Sequence, residues 1–246
     1  MIIMKLIFVR HGDPDYVNDT LTERGWKEAE ALAPRVAKWQ ADAFYSSPLG
    51  RAKDTAKVSL EPLGETATEL SWLREFHVDV KDPATGETTI PWDFLPRLWT
   101  KDDTLYDRHR WHESEIMKTG KVAERKQQVC QGIDALLESY GYERKGNLYY
   151  TEQGHDKTLV FFCHLGVQFV ILSHLLGVSA SVLWQNFFVA PTSVTVVETE
   201  EREKGIAAFR CRKVGDTSHL YCAGIRPSDS GFYESVYGKE RNWTLK

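Results

Sequence analysis

Cysteine is scarce in this chain. Only Cys130, Cys163, Cys211 and Cys222 occur in 246 residues, and no two form a C-x-x-C pair. That spacing gives little support to a zinc site or a dithiol redox centre. Cys163, inside an apolar stretch, reads as a small buried hydrophobe. A strong charge of either sign is also missing. The formal net charge is −4, so no global field draws the chain to nucleic acid or to an anionic membrane. No apolar run is long enough to cross a bilayer. The apolar start, residues 1–9, is too short for a secretory signal and meets Arg10 without a small-residue cleavage site. The expectation is a reduced, cytoplasmic protein. What remains is an ordinary globular composition, 42% hydrophobic and 27% charged. The length suits one domain, residues 1–246, with a large insertion and no separating linker.

Apolar strands and amphipathic helices alternate through the first two thirds. Residues 5–9 read as a strand running into Arg10-His11-Gly12. Thr22 reads as the N-cap of a helix that buries Trp26, Ala29, Leu32, Ala33 and Val36. A short strand at 43–46 leads to Ser47 and Pro48, which fit the N-cap and first position of a helix ending near Leu60. A third strand is expected at 66–70. From 76 to 113 the rhythm breaks, with Pro83, Pro91, Pro96 and three tryptophans, and this stretch reads as an irregular cap. Helical spacing returns over 114–140, with Gly120 as a break. A turn-rich segment (141–157) precedes the strand 158–163, which runs into His164-Leu165-Gly166. A helix then ends at Gly177. Residues 193–198 and 206–211 read as late strands, and the tail from Gly215 carries no clear pattern. This alternation predicts an α/β class around a largely parallel sheet.

In such sheets the carboxyl ends of strands open onto the ligand crevice. His11 and His164 each sit at such an end, so they can meet in one pocket. Four segments carry polar residues at these ends: Arg10-His11-Gly12, Ser46-Ser47-Pro48-Leu49-Gly50-Arg51-Ala52, Leu73-Arg74-Glu75 and His164-Leu165-Gly166. This set, in this order, resembles the histidine phosphatase superfamily, the phosphoglycerate-mutase-like family. The likeness spans roughly residues 4–75 and 114–220, and the S-S-P-L-x-R-A segment is its most specific part. It implies a three-layer α/β fold and a metal-independent phosphatase working through a phosphohistidine, with no cofactor. Two departures stand out: Leu165 where many relatives have glycine, and Asp13 where they often have glutamate.

The residue chemistry agrees. A neutral imidazole attacks phosphorus when its other N–H is held, which makes His11 the candidate nucleophile. Arg10 and Arg51 fork onto phosphate oxygens, and Arg51 lies in the first turn of a helix, where the dipole favours anions. Gly12 presents no side chain to obstruct a phosphate. His164, if protonated, adds a third cationic donor. Glu75 is the candidate acid and base, provided its pKa is raised; Glu69 and Asp79 are the alternatives. Asn18 and Thr192 are candidate phosphate contacts, or else an ordinary turn and strand-start residue.

The cap interleaves Trp92, Phe94, Trp99, Tyr106 and Trp111 with Arg97, Arg108, His109, Arg110 and His112. It serves either as a lid gripping the non-phosphate part of a substrate or as a long excursion anchored on the core. His109 and His112 have ligand spacing but no evident third ligand, so no metal site is assigned. The expected partner is a small phosphorylated metabolite, not nucleic acid or membrane, and a homodimer is compatible with the chain. A phosphomutase of the same family is the first rival. The E-R-H-Y-G-like sequence usual in mutases is absent, because this region reads Glu75-Phe76-His77-Val78-Asp79. A non-catalytic phospholigand-binding module is the second.

Overall fold

The computed structural model describes residues 3–233. The first strand, β1 (Lys5–Arg10), is followed by a small ribbon, β2 (Pro14–Asp15) and β3 (Thr20–Leu21), and then by α1 (Glu23–Val36). Thr22 caps α1 as expected, its side chain accepting from the Gly25 N–H. Such a cap contributes roughly 1 kcal/mol. Next come β4 (Ala43–Ser46), α2 (Gly50–Leu60) and β5 (Thr68–Glu69). The cap segment holds only short pieces: the hairpin β6 (Val80–Lys81) and β7 (Thr88–Thr89), α3 (Pro96–Trp99), and single turns of 3₁₀ helix. Then follow α4 (Val122–Ser139), β8 (Glu143–Lys145), β9 (Leu148–Tyr150), β10 (Thr158–Cys163) and α5 (Leu165–Leu176). The described chain closes with α6 (Ala180–Asn186), β11 (Val194–Glu203), β12 (Ile206–Asp216) and α7 (Ser218–Cys222).

Eight strands form one sheet in the order β5-β4-β10-β1-β11-β12-β9-β8. Pairing is parallel from β5 to β1. It is antiparallel from β1 through β11, β12 and β9 to β8. The α/β class therefore holds, with the parallel part confined to four strands. β1 and β10 lie side by side in register, Arg10 opposite Cys163, so His11 and His164 leave the sheet at one place.

Alternation along the strands builds two cores. Ile7, Val9, Val160 and Phe162 pack under α1 and α2 with Leu32, Val36, Ala56 and Leu60. Leu6, Phe8, Leu159 and Phe161 face the other way, against α4, α5 and the cap. α5 lies buried almost all round, which is why its sequence is nearly all apolar. Phe94, Leu105 and Trp111 of the cap belong to this second core. Leu165 packs there too, so the departure from the family's glycine points sideways into the core.

Several local expectations are corrected. α2 starts at Gly50, with Leu49 and not Ser47 in the N-cap position. A residue from another loop supplies the cap: Asp19 Oδ2 accepts from the Gly50 N–H at 2.7 Å. The third strand shrinks to the two residues of β5, at the sheet edge. The turn-rich 141–157 stretch contains the β8–β9 hairpin, and α6 was not expected. Both late strands are longer than their apolar cores suggest, because polar residues alternate on their open face. Of the unassigned tail, residues 234–246 lie outside the described residues.

Gly12 also has a packing role. A side chain there would put Cβ 2.7 Å from the Gly25 carbonyl oxygen, so the glycine lets α1 pack against the end of β1. Gly12→Ala is expected to destabilise the fold by roughly 1–3 kcal/mol, read as a lower denaturation midpoint. An unchanged midpoint would show that the two backbones can part freely.

Candidate active site

The ring centroids of His11 and His164 lie 5.1 Å apart at the carboxyl end of the parallel strands. Both side chains are buried. His11 Nδ1 lies 2.7 Å from its neighbour's carbonyl, Gly12 O. A carbonyl only accepts, so Nδ1 carries the proton and Nε2 keeps its lone pair. Burial, then the positive charges of Arg10 and Arg51, hold the His11 pKa well below the ordinary imidazole value. His11 thus presents a neutral, oriented nitrogen lone pair at neutral pH.

Arg10 and Arg51 flank this pair. Arg10 Nη1 donates to Val189 O at 2.7 Å and Nη2 to Ser230 O at 3.0 Å. Arg51 Nη1 pairs with Asp19 Oδ1 at 2.5 Å, and its guanidinium lies over the Tyr16 ring. Among the described residues, eight buried side-chain polar atoms have no partner, and three belong here: Arg10 Nε, Arg51 Nε and His164 Nδ1. Buried polar nitrogens are normally satisfied within a fold. Three left open around one imidazole suit an oxyanion.

His164 occupies the N-cap position of α5, yet its ring does not cap the helix. Its Nε2 meets Ser47 Oγ at 2.7 Å. Glu75 supplies the cap instead: Oε1 accepts from Val167 N–H at 2.9 Å and Phe76 N–H at 2.6 Å, and Oε2 from Gly166 N–H at 3.3 Å. Gly166 makes this approach feasible, since a Cβ there would stand 2.7 Å from Glu75 Oε1 and 2.4 Å from the Trp92 ring. The condition set for His164, that it be protonated, is not met in the protein alone. Burial, then His11, Arg51 and Arg10, lower its pKa well below the ordinary value, so its positive form needs the negative charge of a bound phosphoryl group.

A cleft of about 940 Å³ opens from Arg51 and Glu75, lined also by Tyr16, Trp92, Arg74 and Arg125. The alternative acids lie outside it: Glu69 pairs with Lys53 and Asp79 with His77, all four exposed. Asn18 is exposed and its Nδ2 donates to Asp15 Oδ2 at 2.8 Å, so the neighbouring Asp19, not Asn18, faces Arg51. His109 and His112 turn to separate partners, Arg108 and Lys126. The histidine phosphatase superfamily (branch 1) model matches residues 6–212. The chain belongs to this superfamily.

Among relatives of this histidine phosphatase is phosphoserine phosphatase 1 of Hydrogenobacter thermophilus. It is 27% identical over 228 residues, covering 89% of this chain and 95% of the relative. A phosphoserine phosphatase mutant of Entamoeba histolytica, solved with phosphoserine, superposes with a TM-score of 0.59 at 20% identity, covering 88% of this chain and 99% of that one. A mycobacterial glucosyl-3-phosphoglycerate phosphatase gives 0.57 at 20% identity over 87% and 99% of the two chains. No helix among the described residues is long and apolar enough to cross a membrane.

Four features of the histidine phosphatase site escaped the sequence reading. Ser47 orients His164. Asp19 neutralises Arg51. Arg125, donating to Trp72 O and Arg74 O, adds a cation to the cleft wall. Residues 228–233 contact site residues and the cap: Ser228 Oγ reaches Asp13, Ser230 O accepts from Arg10, and Tyr233 Oη donates to Trp92 O. The cap residues divide between the cleft wall and the core. Trp92 and Ile90 line the cleft, whereas Trp111 is buried against Trp184 and Phe76.

Thr192 holds the end of β1 without facing the cleft cations. Its φ is +57°, a strained value for a β-branched residue, and its N–H donates to both Arg10 O and His11 O. Its hydroxyl meets His219 Nε2 at 3.1 Å, while Arg35 Nη1 contacts His219 Nδ1. Burial, then Arg35, lowers the His219 pKa to about 4. The unfolded chain binds this proton at higher pH, so the stability from neutral His219 is full above about 6.5 and fades as pH falls toward 4. Unfolding free energy is expected to drop by up to about 3 kcal/mol from this group over that range. His11 and His164 act in the same direction. Chemical denaturation at pH 7 and pH 5 checks it: His219→Gln should flatten the difference, and an unaltered pH slope in that variant would remove His219 from the account.

Proposed function

We propose that this histidine phosphatase is a metal-independent phosphomonoesterase acting on a small phosphorylated metabolite through a phosphohistidine on His11. The observation that carries the reading is the set of three unpartnered buried nitrogens on Arg10, Arg51 and His164 around a neutral His11 whose Nδ1 proton is held. Transfer of a phosphoryl group needs an in-line nucleophile and positive donors at the equatorial oxygens, and this set supplies both. His11 Nε2 forms the bond to phosphorus as the P–O bond to the leaving group breaks. The proton of Glu75 passes to the leaving oxygen. Glu75, now a carboxylate, takes a proton from water, whose oxygen bonds to phosphorus as the P–N bond breaks. Inorganic phosphate leaves and Glu75 is again protonated.

The far wall of the cleft supports a substrate with a second anionic group. Arg74 and Arg125 line it beyond Glu75. The relatives named for phosphoserine and glucosyl-3-phosphoglycerate act on compounds of that kind. A phosphomonoester panel including O-phosphoserine and 3-phosphoglycerate tests the reading. Inorganic phosphate released with preference for carboxylated esters supports it. Isomerisation of 3-phosphoglycerate in the presence of the bisphosphate would make the protein a mutase. Phosphate binding with no turnover on any ester would make it a non-catalytic module.

A further inference from the structure

We infer a second oxyanion site, apart from His11, in the pocket between the cap and the C-terminal end of α5. This pocket, about 70 Å³, is lined by Arg108 and His109 of the cap, Lys126 of α4, Arg144 of the β8–β9 hairpin and His174 of α5. One water needs roughly 10–15 Å³ of such space, so a compact tetrahedral anion fits.

The charges in it are not balanced internally. Among the described residues, neither Arg108 nor Lys126 has a carboxylate within 4.0 Å; each contacts an imidazole instead, and Lys126 Nζ also donates to the His109 carbonyl oxygen at 3.4 Å. Arg108 Nε donates to His109 Nε2 at 2.9 Å, and Lys126 Nζ lies 3.0 Å from His112 Nδ1. The nearby acids are already engaged: Asp134 is shared by Tyr149 Oη at 2.6 Å and His174 Nε2 at 2.8 Å, with Arg144 4.0 Å away, and Glu113, whose charge reaches Lys126, pairs with Arg110 at 3.3 Å. The carbonyl end of α5 accounts for part of the positive charge: Arg144 Nη2 donates to His174 O. A helix terminus carries only about half a charge, so it offsets one of the three cations at most. Lys126 is half-buried over the Trp111 ring, where an ammonium without a carboxylate in contact is costly. Burial lowers its pKa. A phosphate-sized oxyanion resolves the imbalance and ties the cap to α4 and α5. Its source is either the free ion or the phosphoryl end of a metabolite.

Calorimetric titration with inorganic phosphate tests the site. The background is the His11→Ala/Arg51→Ala protein, in which the catalytic cleft is crippled and no ester turns over. One phosphate per chain is expected to bind there. Adding Arg108→Gln and Lys126→Gln is expected to weaken that binding at least about tenfold. Arg108 is exposed, so Arg108→Gln alone preserves the fold and should already weaken it. Equal binding with and without the added substitutions overturns the inference, as does an absence of binding in the background protein. Titration with O-phosphoserine in the same background separates the sources: binding assigns a phosphoryl end, and binding of phosphate alone assigns the free ion. Because catalysis is not the readout, failure here leaves the phosphatase reading standing.

Discussion

His11→Ala is expected to abolish phosphoester hydrolysis, by roughly four orders of magnitude or more, and to leave no acid-labile phosphate on the protein after rapid quenching. The argument is geometric. His11 Nδ1 is fixed on Gly12 O, so Nε2 is the free lone pair beside Arg51 and Arg10. His164 has its Nε2 on Ser47 Oγ, and the mechanism uses its Nδ1 protonated as a donor to the phosphoryl group, a form with no lone pair for attack. The fold should survive, since the buried imidazole makes one side-chain hydrogen bond and that to its own neighbour. Acid-labile label trapped on the alanine variant would place the nucleophile elsewhere and undo the mechanism.

Glu75→Gln is expected to slow hydrolysis of alkyl phosphates by roughly 10²–10⁴. The effect should be far smaller for aryl esters such as p-nitrophenyl phosphate, whose leaving group needs little protonation. That contrast separates chemistry from structure. Glu75 also caps α5 through Gly166 and Val167, and a glutamine keeps one carbonyl oxygen for those donors. A purely structural loss would lower both substrates alike. An equal loss on alkyl and aryl esters would therefore remove Glu75 as the proton donor.

What could be read beforehand was whatever depends on local order. Four apolar residues before Arg10 and five before His164 placed two strands correctly. Their adjacency followed from the family likeness and from the way such sheets expose strand ends. Thr22 and Gly177 marked helix ends because capping is a matter of a few neighbouring atoms. The rest depends on partners distant in sequence. Asp19 caps α2 from another loop, so Ser47 and Pro48 misled as to where that helix begins, and Ser47 was free to orient His164. The β8–β9 hairpin escaped notice because three-residue strands carry almost no periodicity. Arg125 looks like any exposed helical cation until Trp72 and Arg74 are brought beside it. Asn18 came from the family likeness, which points to an early polar-loop residue, whereas the carboxylate of the next residue, Asp19, balances the Arg51 guanidinium.

One bond bears on how the molecule is made. Arg10 is anchored to the carbonyl of Ser230, 220 positions later. During synthesis, a growing polypeptide can complete β1 and α1 early, but it cannot clasp that guanidinium until almost all described residues have left the ribosome. Partial translation products should then be inert even when they already contain His11, Arg51, Glu75 and His164, so competence arrives late and all at once.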